Sequence, residues 1–414
     1  MANTRIDGAA RVLDSGLDAT TDGLPSSGGL FTLSAGYDHR LSRSLVAGAF
    51  VDYDFSDIGS PSTYEIGNQV SAGARLGYLI SPSTLFFSTF GYAHTDATNP
   101  SVGFVFGDTG EGKRGFDGYF VGGGAETLIG GGFSVKAEYR YTSFGSEGDK
   151  LAFSPDESIS SSSKPTIQTA RVSLNYRFGA DEQSQGTGSP STITSGWTSP
   201  YLGLGGGAGT ADTTVGSPGA VGTTHLGSDG GLLFFTAGYD YQLNSHFVVG
   251  AFGDAGFTHF RYKSTFGITS DPESLSETLD NNFRNLLMIG GRLGYLTSPG
   301  TLVFVSGGYA NAGLGDTSVS YNPSDAPGES VTLDGQRFSG GFIGGGIESR
   351  ITDALSLKAE YRYVDFGSED MSMSAASIPD VIFARTTFDP TMQIGMLSIN
   401  WRFGAHSERA APLK

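Results

Sequence analysis

The chain repeats itself. FSVKAEYRYTSFGSE (133–147) returns as LSLKAEYRYVDFGSE (355–369), and VSLNYRFGA (172–180) returns as LSINWRFGA (397–405). SAGYDHRL (34–41) matches TAGYDYQL (236–243), and RLGYLISPSTLFF (75–87) matches RLGYLTSPGTLVF (292–304). A duplication this plain requires one architecture to serve both halves. The offset between the copies is 202 at Ala35/Ala237 and Asp52/Asp254, and 217 at Arg75/Arg292 and Tyr92/Tyr309. It becomes 222 at Glu126/Glu348 and Arg140/Arg362, then 225 at Phe178/Phe403. Length therefore changes only in alternate connections. These are the long polar ones: 56–67, 97–115 and 146–165, and their counterparts 264–282, 312–336 and 367–391. The connections between them stay short, around Ser42–Ser44, Ser81–Ser83 and Gly130–Gly132, and around Asn244–Ser245, Thr297–Gly300 and Thr352–Ala354. Short turns at one end and long variable loops at the other are the layout of an antiparallel transmembrane barrel.

The residue pattern agrees. In VKAEYRY (135–141), Val135, Ala137, Tyr139 and Tyr141 share one face, with Lys136, Glu138 and Arg140 on the other. Leu357, Ala359, Tyr361 and Tyr363 oppose Lys358, Glu360 and Arg362 in the copy. On the last strand of each half, Val172, Leu174, Tyr176 and Phe178 oppose Arg171, Ser173, Asn175 and Arg177, and Leu397, Ile399, Trp401 and Phe403 oppose Ser398, Asn400 and Arg402. This period of two predicts strands. A register slip of one residue would put each cation into lipid at about 2–4 kcal/mol. The inward set predicted for the first half is Asp38, Asp52, Asp54, Arg75, Glu126, Lys136, Glu138, Arg140 and Arg177. In the second it is Asp240, Asp254, Arg292, Glu348, Lys358, Glu360, Arg362 and Arg402. An eight-stranded interior is just wide enough for side chains to fill it, and unpaired buried charge is costly. These ions are therefore expected to form a structural network in the lumen. The alternative is the lining of an aqueous pore.

Composition narrows the field further. Charged residues are 16% of the chain and hydrophobic ones only 38%, against 64 glycines among 414 residues. This suits apolar residues spread thinly over a lipid-facing sheet. No run approaches the roughly 18 apolar residues of a spanning helix. With 29 Phe and 18 Tyr, disorder is excluded. The absence of cysteine excludes disulfides and Cys-based zinc sites. A net charge of −17 argues against nucleic acid as a partner. The opening MANTRIDGAARVLDSG lacks a basic start followed by an apolar core, so no secretory signal is read there.

The expected fold is all-β: a transmembrane antiparallel up-and-down β-barrel, as two tandem eight-stranded barrels, with one sixteen-stranded barrel as the alternative. The divisions are residues 1–180, a Ser/Thr/Gly-rich flexible linker at 181–196, a second repeat at 197–405, and a tail at 406–414. The second half reads as strands near 199–210, 231–243, 247–261, 284–296, 301–312, 338–351, 355–366 and 392–404. The first reads as 29–41, 45–56, 68–80, 84–96, 116–129, 133–145 and 166–179, with Arg5–Leu13 taken as its first strand to make the count even.

The TAGYDY-type second strand (236–241), KAEYRYTSFG and KAEYRYVDFG, and the terminal LNYRFG and INWRFG resemble the outer-membrane β-barrel family of small opacity-type surface proteins and alphaproteobacterial surface antigens. The resemblance covers nearly the whole chain, twice. It implies an eight-stranded barrel in the outer membrane, contact with lipid and lipopolysaccharide, and a closing aromatic read by the assembly machinery, here Phe178 and Phe403. It implies membrane-integrity, adhesion and sometimes haem-related roles, and no shared catalytic residues.

Chemical-looking motifs are better read as barrel features. Gly107–Arg114 nearly spells a phosphate loop, but Arg114 replaces the Ser/Thr that would hold magnesium and no helix follows. Gly203, Gly205 and Ala208 fit a loose dinucleotide pattern without a βαβ unit. Asp52, Asp54 and Asp57 lack the Gly and Glu of an EF-hand. The six histidines (His39, His94, His225, His246, His259 and His406) are not shared between copies: His39 aligns with Tyr241, and His246 with Ser44. The expectation is a non-enzymatic outer-membrane protein, without metal or cofactor, that anchors in the envelope and displays loops. A porin-like channel and an adhesin or ligand binder acting on a host or extracellular ligand are the alternatives.

Overall fold

A computed structural model describes residues 2–12, 17–60, 64–97, 114–154, 157–178, 196–216, 223–270, 273–315, 317–323, 329–333, 335–375 and 378–404. The linker at 181–195, the tail at 406–414 and the loop at 107–113 lie outside the described residues. All regular structure among the described residues is strand. The first half contains β1 (Ala2–Val12), β2 (Leu17–Arg40), β3 (Leu45–Ser60), β4 (Tyr64–Ser81), β5 (Thr84–Ala97), β6 (Arg114–Gly130), β7 (Phe133–Phe144), β8 (Glu147–Ser154) and β9 (Glu157–Tyr176). The second contains β10 (Ser199–Gly216), β11 (Thr223–Gln242), β12 (Phe247–Ser270), β13 (Glu273–Ser298), β14 (Thr301–Leu314), β15 (Thr317–Pro323), β16 (Glu329–Leu333), β17 (Arg337–Arg350), β18 (Leu355–Asp365), β19 (Glu369–Ala375) and β20 (Ile378–Arg402).

The second half closes on itself. Eight strands run β10-β11-β12-β13-β14-β17-β18-β20, every neighbour is antiparallel, and β20 pairs back onto β10 from Tyr201↔Arg402 to Gly216↔Thr387. That private closure removes the sixteen-stranded alternative. The first half follows the same order through β2-β3-β4-β5-β6-β7-β9. Its first strand departs from expectation. β1 does form, and it pairs with both β2 and β9, but only from Ala2↔Gly28 and Ala2↔Thr169 outward to the loop end. Toward the short-turn end, Gly29–Arg40 of β2 and Ala170–Tyr176 of β9 have no strand between them among the described residues. The first half is thus an open half-barrel sheet whose edges are bridged at one end.

The loop boundaries also differ. Segments expected as irregular loops continue the ladder: β12 and β13 stay paired to Ser270↔Glu273, and β8 returns on β9 as its own hairpin. The polar composition that marked these segments as loops does not prevent pairing, because backbone groups satisfy one another whatever the side chains are.

The short turns are built by side chains. Asn244 Oδ1 accepts from the amides of His246 (2.8 Å) and Phe247 (2.9 Å). Ser42 Oγ accepts from Ser44 and Leu45, and Thr352 Oγ1 from Ala354 and Leu355. At Gly130–Gly132 the chain turns instead through three positive φ angles (105°, 60° and 80°), which glycine alone adopts freely. Asn244→Ala is expected to destabilise the second barrel by on the order of 1 kcal/mol, read as a lower denaturant midpoint. An unchanged midpoint would show the turn to be held by its backbone alone.

The alternation is a real division of faces. Phe31, Leu33, Val172, Leu233, Phe235 and Ile343 are exposed on the outside. The inside of the second barrel holds a cluster that includes Phe234, Phe260, Phe338, Met392 and Ile394, and the first holds a smaller one that includes Ile58, Phe116, Phe120 and Ile167.

Candidate functional site

The charged residues point inward and meet in two layers. In the layer nearer the short turns of the second barrel, Arg292 bridges Asp240 (2.5 Å) and Glu348 (2.6 Å). Arg402 bridges the same two carboxylates at 2.8 Å each. Ser356 and Asn400 also donate to Glu348 Oε1, at 2.5 and 3.1 Å. In the layer above, Arg362 holds Asp254 (2.5 Å) and Glu360 (2.7 Å), and Lys358 holds Glu360 at 2.9 Å. Each layer sets two cations against two carboxylates, so each is neutral.

The first half repeats the lower layer with Arg75 on Asp38 and Glu126, and Arg177 on Glu126 at 3.0 Å. Its upper layer is larger. Arg140 reaches Asp52 and Glu138, both at 2.9 Å, and Lys136 reaches Glu138 at 3.2 Å. Arg171 adds bridges to Asp52 (3.4 Å) and Asp54 (2.7 Å). Gln69 donates to Asp54 as well. At the equivalent positions the second half carries Met396, Gly256 and Leu286. One half inserts an added ion pair with its amide, and the other fills the same space with apolar atoms. In both halves these ion layers stay neutral, because an unpaired buried ion costs several kcal/mol.

The sequence reading placed Arg171 on the inward face but not in the network, and it had no counterpart in the copy to flag it. Glycine provides a subtler signal. A Cβ at Gly48 or at Gly250 would collide with the carboxylate of Asp38 or Asp240. Both copies therefore keep glycine where the aspartate must lie flat against the wall to reach its arginine. Asp52 and Asp54, considered above for calcium, are turned to guanidinium partners. His94 Nδ1 lies 2.7 Å from Asp117 Oδ1 at the exposed loop-side rim; the equivalent pair is Asn311 and Ser339.

The completeness of the first strand decides how wet the lower layer is. With β10 in place, side-chain exposure is 0% for Arg402, 1% for Arg292 and 0% for Asp240. The counterparts Arg177, Arg75 and Asp38 are at 38%, 13% and 27%. A cavity of about 710 Å³ opens there between β2 and β9, reaching from Phe31 and Leu174 at the rim to Arg75 and Glu126 inside.

A second difference is Trp197, the first residue of the second repeat (197–405). It folds beneath the barrel, fully buried, with its indole N–H donating to the Pro299 carbonyl at 3.0 Å. The guanidinium groups of Arg402 and Arg350 sit over its ring at 4.4 and 4.8 Å. Arg350 also donates to the Gly196 carbonyl at 2.7 Å. Trp197 is thus a floor beneath the lower ion layer. Phe178 and Phe403 lie at the exposed ends of the closing strands, beside Tyr176 and Trp401.

A family model described as an outer membrane protein beta-barrel domain matches residues 5–178 and 188–379. Among curated proteins, the chain is 28% identical over 153 residues to a 22 kDa outer membrane protein of Rhizobium leguminosarum bv. viciae, covering 35% of this chain and 64% of that one. It thus spans just under two thirds of that relative. It is 29% identical over 178 residues to a 31 kDa outer-membrane immunogenic protein of Brucella melitensis, covering 39% of this chain and 69% of that one. Among solved structures, OprG from Pseudomonas aeruginosa aligns at 13% identity and a TM-score of 0.31, over 51% of this chain and 99% of that one. The toluene transporter TodX from Pseudomonas putida aligns at 10% identity and a TM-score of 0.26, over 96% of this chain and 87% of that one.

Proposed function

The chain belongs to the outer-membrane β-barrel family, once in each half, and is an outer-membrane protein; from that premise we propose that it is a non-enzymatic envelope protein that anchors in the lipid and lipopolysaccharide of the membrane and displays its long loop-side hairpins outward. The observation that carries this reading is the filled interior of the second barrel. Its lower half holds the four-ion layer of Asp240, Arg292, Glu348 and Arg402 over Trp197. Its upper half is packed with buried Phe, Met and Ile side chains. Water-filled channels need larger barrels. The hairpins that pass beyond the apolar belt are the variable parts of the chain, and loops on a rigid scaffold are where surface recognition resides. The immunogenic name of the Brucella relative supports outward display, since an antigen needs exposed segments. Phe178 and Phe403 are proposed as the aromatics that the assembly machinery reads.

Liposome swelling with small sugars tests the proposal. Proteoliposomes are expected to swell no faster than protein-free vesicles. Rapid, size-limited sugar entry would overturn the closed-barrel reading in favour of a diffusion channel.

A further inference from the structure

On the outside of the two barrels, one stripe breaks the rule that outward residues are exposed. Thr84 on β5 and Ala125 and Thr127 on β6 all have outward parity, yet each is fully buried. The same holds for Thr301 on β14 and Ile347 and Ser349 on β17. These are the same positions in the two copies, at offsets of 217 and 222. Each set is covered by the other. Thr127 Oγ1 lies 3.0 Å from Thr84 Oγ1, Thr84 Oγ1 lies 3.0 Å from Thr301 Oγ1, and Thr301 Oγ1 lies 3.0 Å from Ser349 Oγ. Four hydroxyls thus form a chain that crosses from one barrel to the other and reads alike from either end.

Higher on the same stripe, Tyr139 packs its ring onto Gly395 of β20, where a Cβ would approach the ring to 2.8 Å. The outward faces of β7 and β18, with Tyr139, Tyr141, Tyr361 and Tyr363, are half-buried, unlike the exposed outward faces elsewhere. β4 approaches β17, and β6 approaches β13. Since β4 corresponds to β13 and β6 to β17, these two contacts are one contact exchanged, as a two-fold axis requires; the halves also meet off this axis, where Asp18–Thr20 of β2 pair with Gly267–Thr269 of β12 without an exchanged counterpart among the described residues.

We infer that the half-barrel sheet of the first half and the closed barrel of the second are clamped side by side in the membrane as an intrachain pseudo-dimer, through the hydroxyl chain Thr127–Thr84–Thr301–Ser349 and the seat of Tyr139 on Gly395. Apolar contact alone does not drive association in lipid. Small residues that permit close approach, and hydroxyls that bond across the interface, do. This stripe supplies both. The pairing also sends both sets of hairpins to the same side. The halves accordingly stay together without help from the segment at 181–196.

The chain has no cysteine, so a disulfide can be placed cleanly. The full chain is folded into detergent micelles with Thr84→Cys and Thr301→Cys together and a protease site inside 181–196. It is then oxidised and cut. The expected result is two halves that remain joined, at the mass of one chain, until reductant is added. The pair Leu33→Cys with Leu233→Cys, on exposed faces, should part on cutting. A second reading needs no cysteine: the cut chain should co-purify as two halves, and Gly395→Leu with Thr84→Val and Thr301→Val should separate them while the closed second half keeps its heat-modifiable gel mobility. Halves of T84C/T301C that part on cutting, joining only between different chains, or equal joining in the control pair would each overturn the inference. So would halves of the cysteine-free chain that separate as readily as those of the triple variant.

Discussion

Glu348→Ala is expected to destabilise the second barrel by about 3–5 kcal/mol. Glu348 is fully buried and accepts from Arg292, Arg402, Ser356 and Asn400. Its removal leaves two arginines sharing Asp240 alone, in a layer with 0–1% exposure, where water cannot replace the lost carboxylate. The pair need not have stabilised the fold against an apolar substitute; breaking it from one side is what costs. Glu126→Ala removes the same carboxylate from the first half, but there Arg177 is 38% exposed and can be solvated through the seam between β2 and β9. Its cost should fall to about 1–3 kcal/mol. The chain separates the two results conveniently. Both of its tryptophans, Trp197 and Trp401, lie in the second barrel, so the denaturant midpoint of tryptophan fluorescence should drop sharply for Glu348→Ala and stay in place for Glu126→Ala. No drop for Glu348→Ala would mean that the layer is not sealed; an equal drop for Glu126→Ala would mean that the two halves unfold as one unit.

Much of this was legible from the residues, for a reason that also sets the limit. Alternation in VKAEYRY and its copy tells which face each side chain takes, so the inward placement of Lys136, Glu138 and Arg140 followed directly. It does not tell what covers the other face. Thr84, Ala125 and Thr127 read as ordinary outward residues near a turn, and only the assembled pair of barrels buries them. Duplication helped where both copies agree, as at Arg75/Arg292 and Glu126/Glu348, and misled where they diverge. Arg171 and Asp54 form a pair that the second half replaces with Met396 and Gly256, so nothing in the comparison of halves linked them. The short reach of β1 was hidden for another reason. Residues Arg5–Leu13 alternate adequately, but alternation fixes the parity of a strand and not how far along its neighbours it pairs. The register Ala2↔Gly28 depends on contacts with β2 and β9 that are remote in sequence.

Trp197→Ala is expected to cost the second barrel about 3–5 kcal/mol, the usual range for truncating a large buried aromatic. The loss goes beyond apolar burial. The ring lies under Arg402 at 4.4 Å and Arg350 at 4.8 Å, so truncation strips two desolvated cations of an aromatic face, each contact worth about 2 kcal/mol when desolvated. It also removes the floor that separates the lower ion layer from the short-turn side. The first half shows what an unsealed layer looks like, with Asp38 and Arg177 partly exposed beside the 710 Å³ cavity. A Trp197→Ala barrel should move toward that state. Adding Glu348→Ala should then cost less than it does in the parent, because water can now reach Arg292 and Arg402. The fluorescence of the remaining Trp401 reads both variants and their combination. Strict additivity of the two substitutions would contradict a floor role for Trp197 and leave it as one more packed aromatic; a combined loss clearly smaller than the sum is the outcome that the sealed geometry requires.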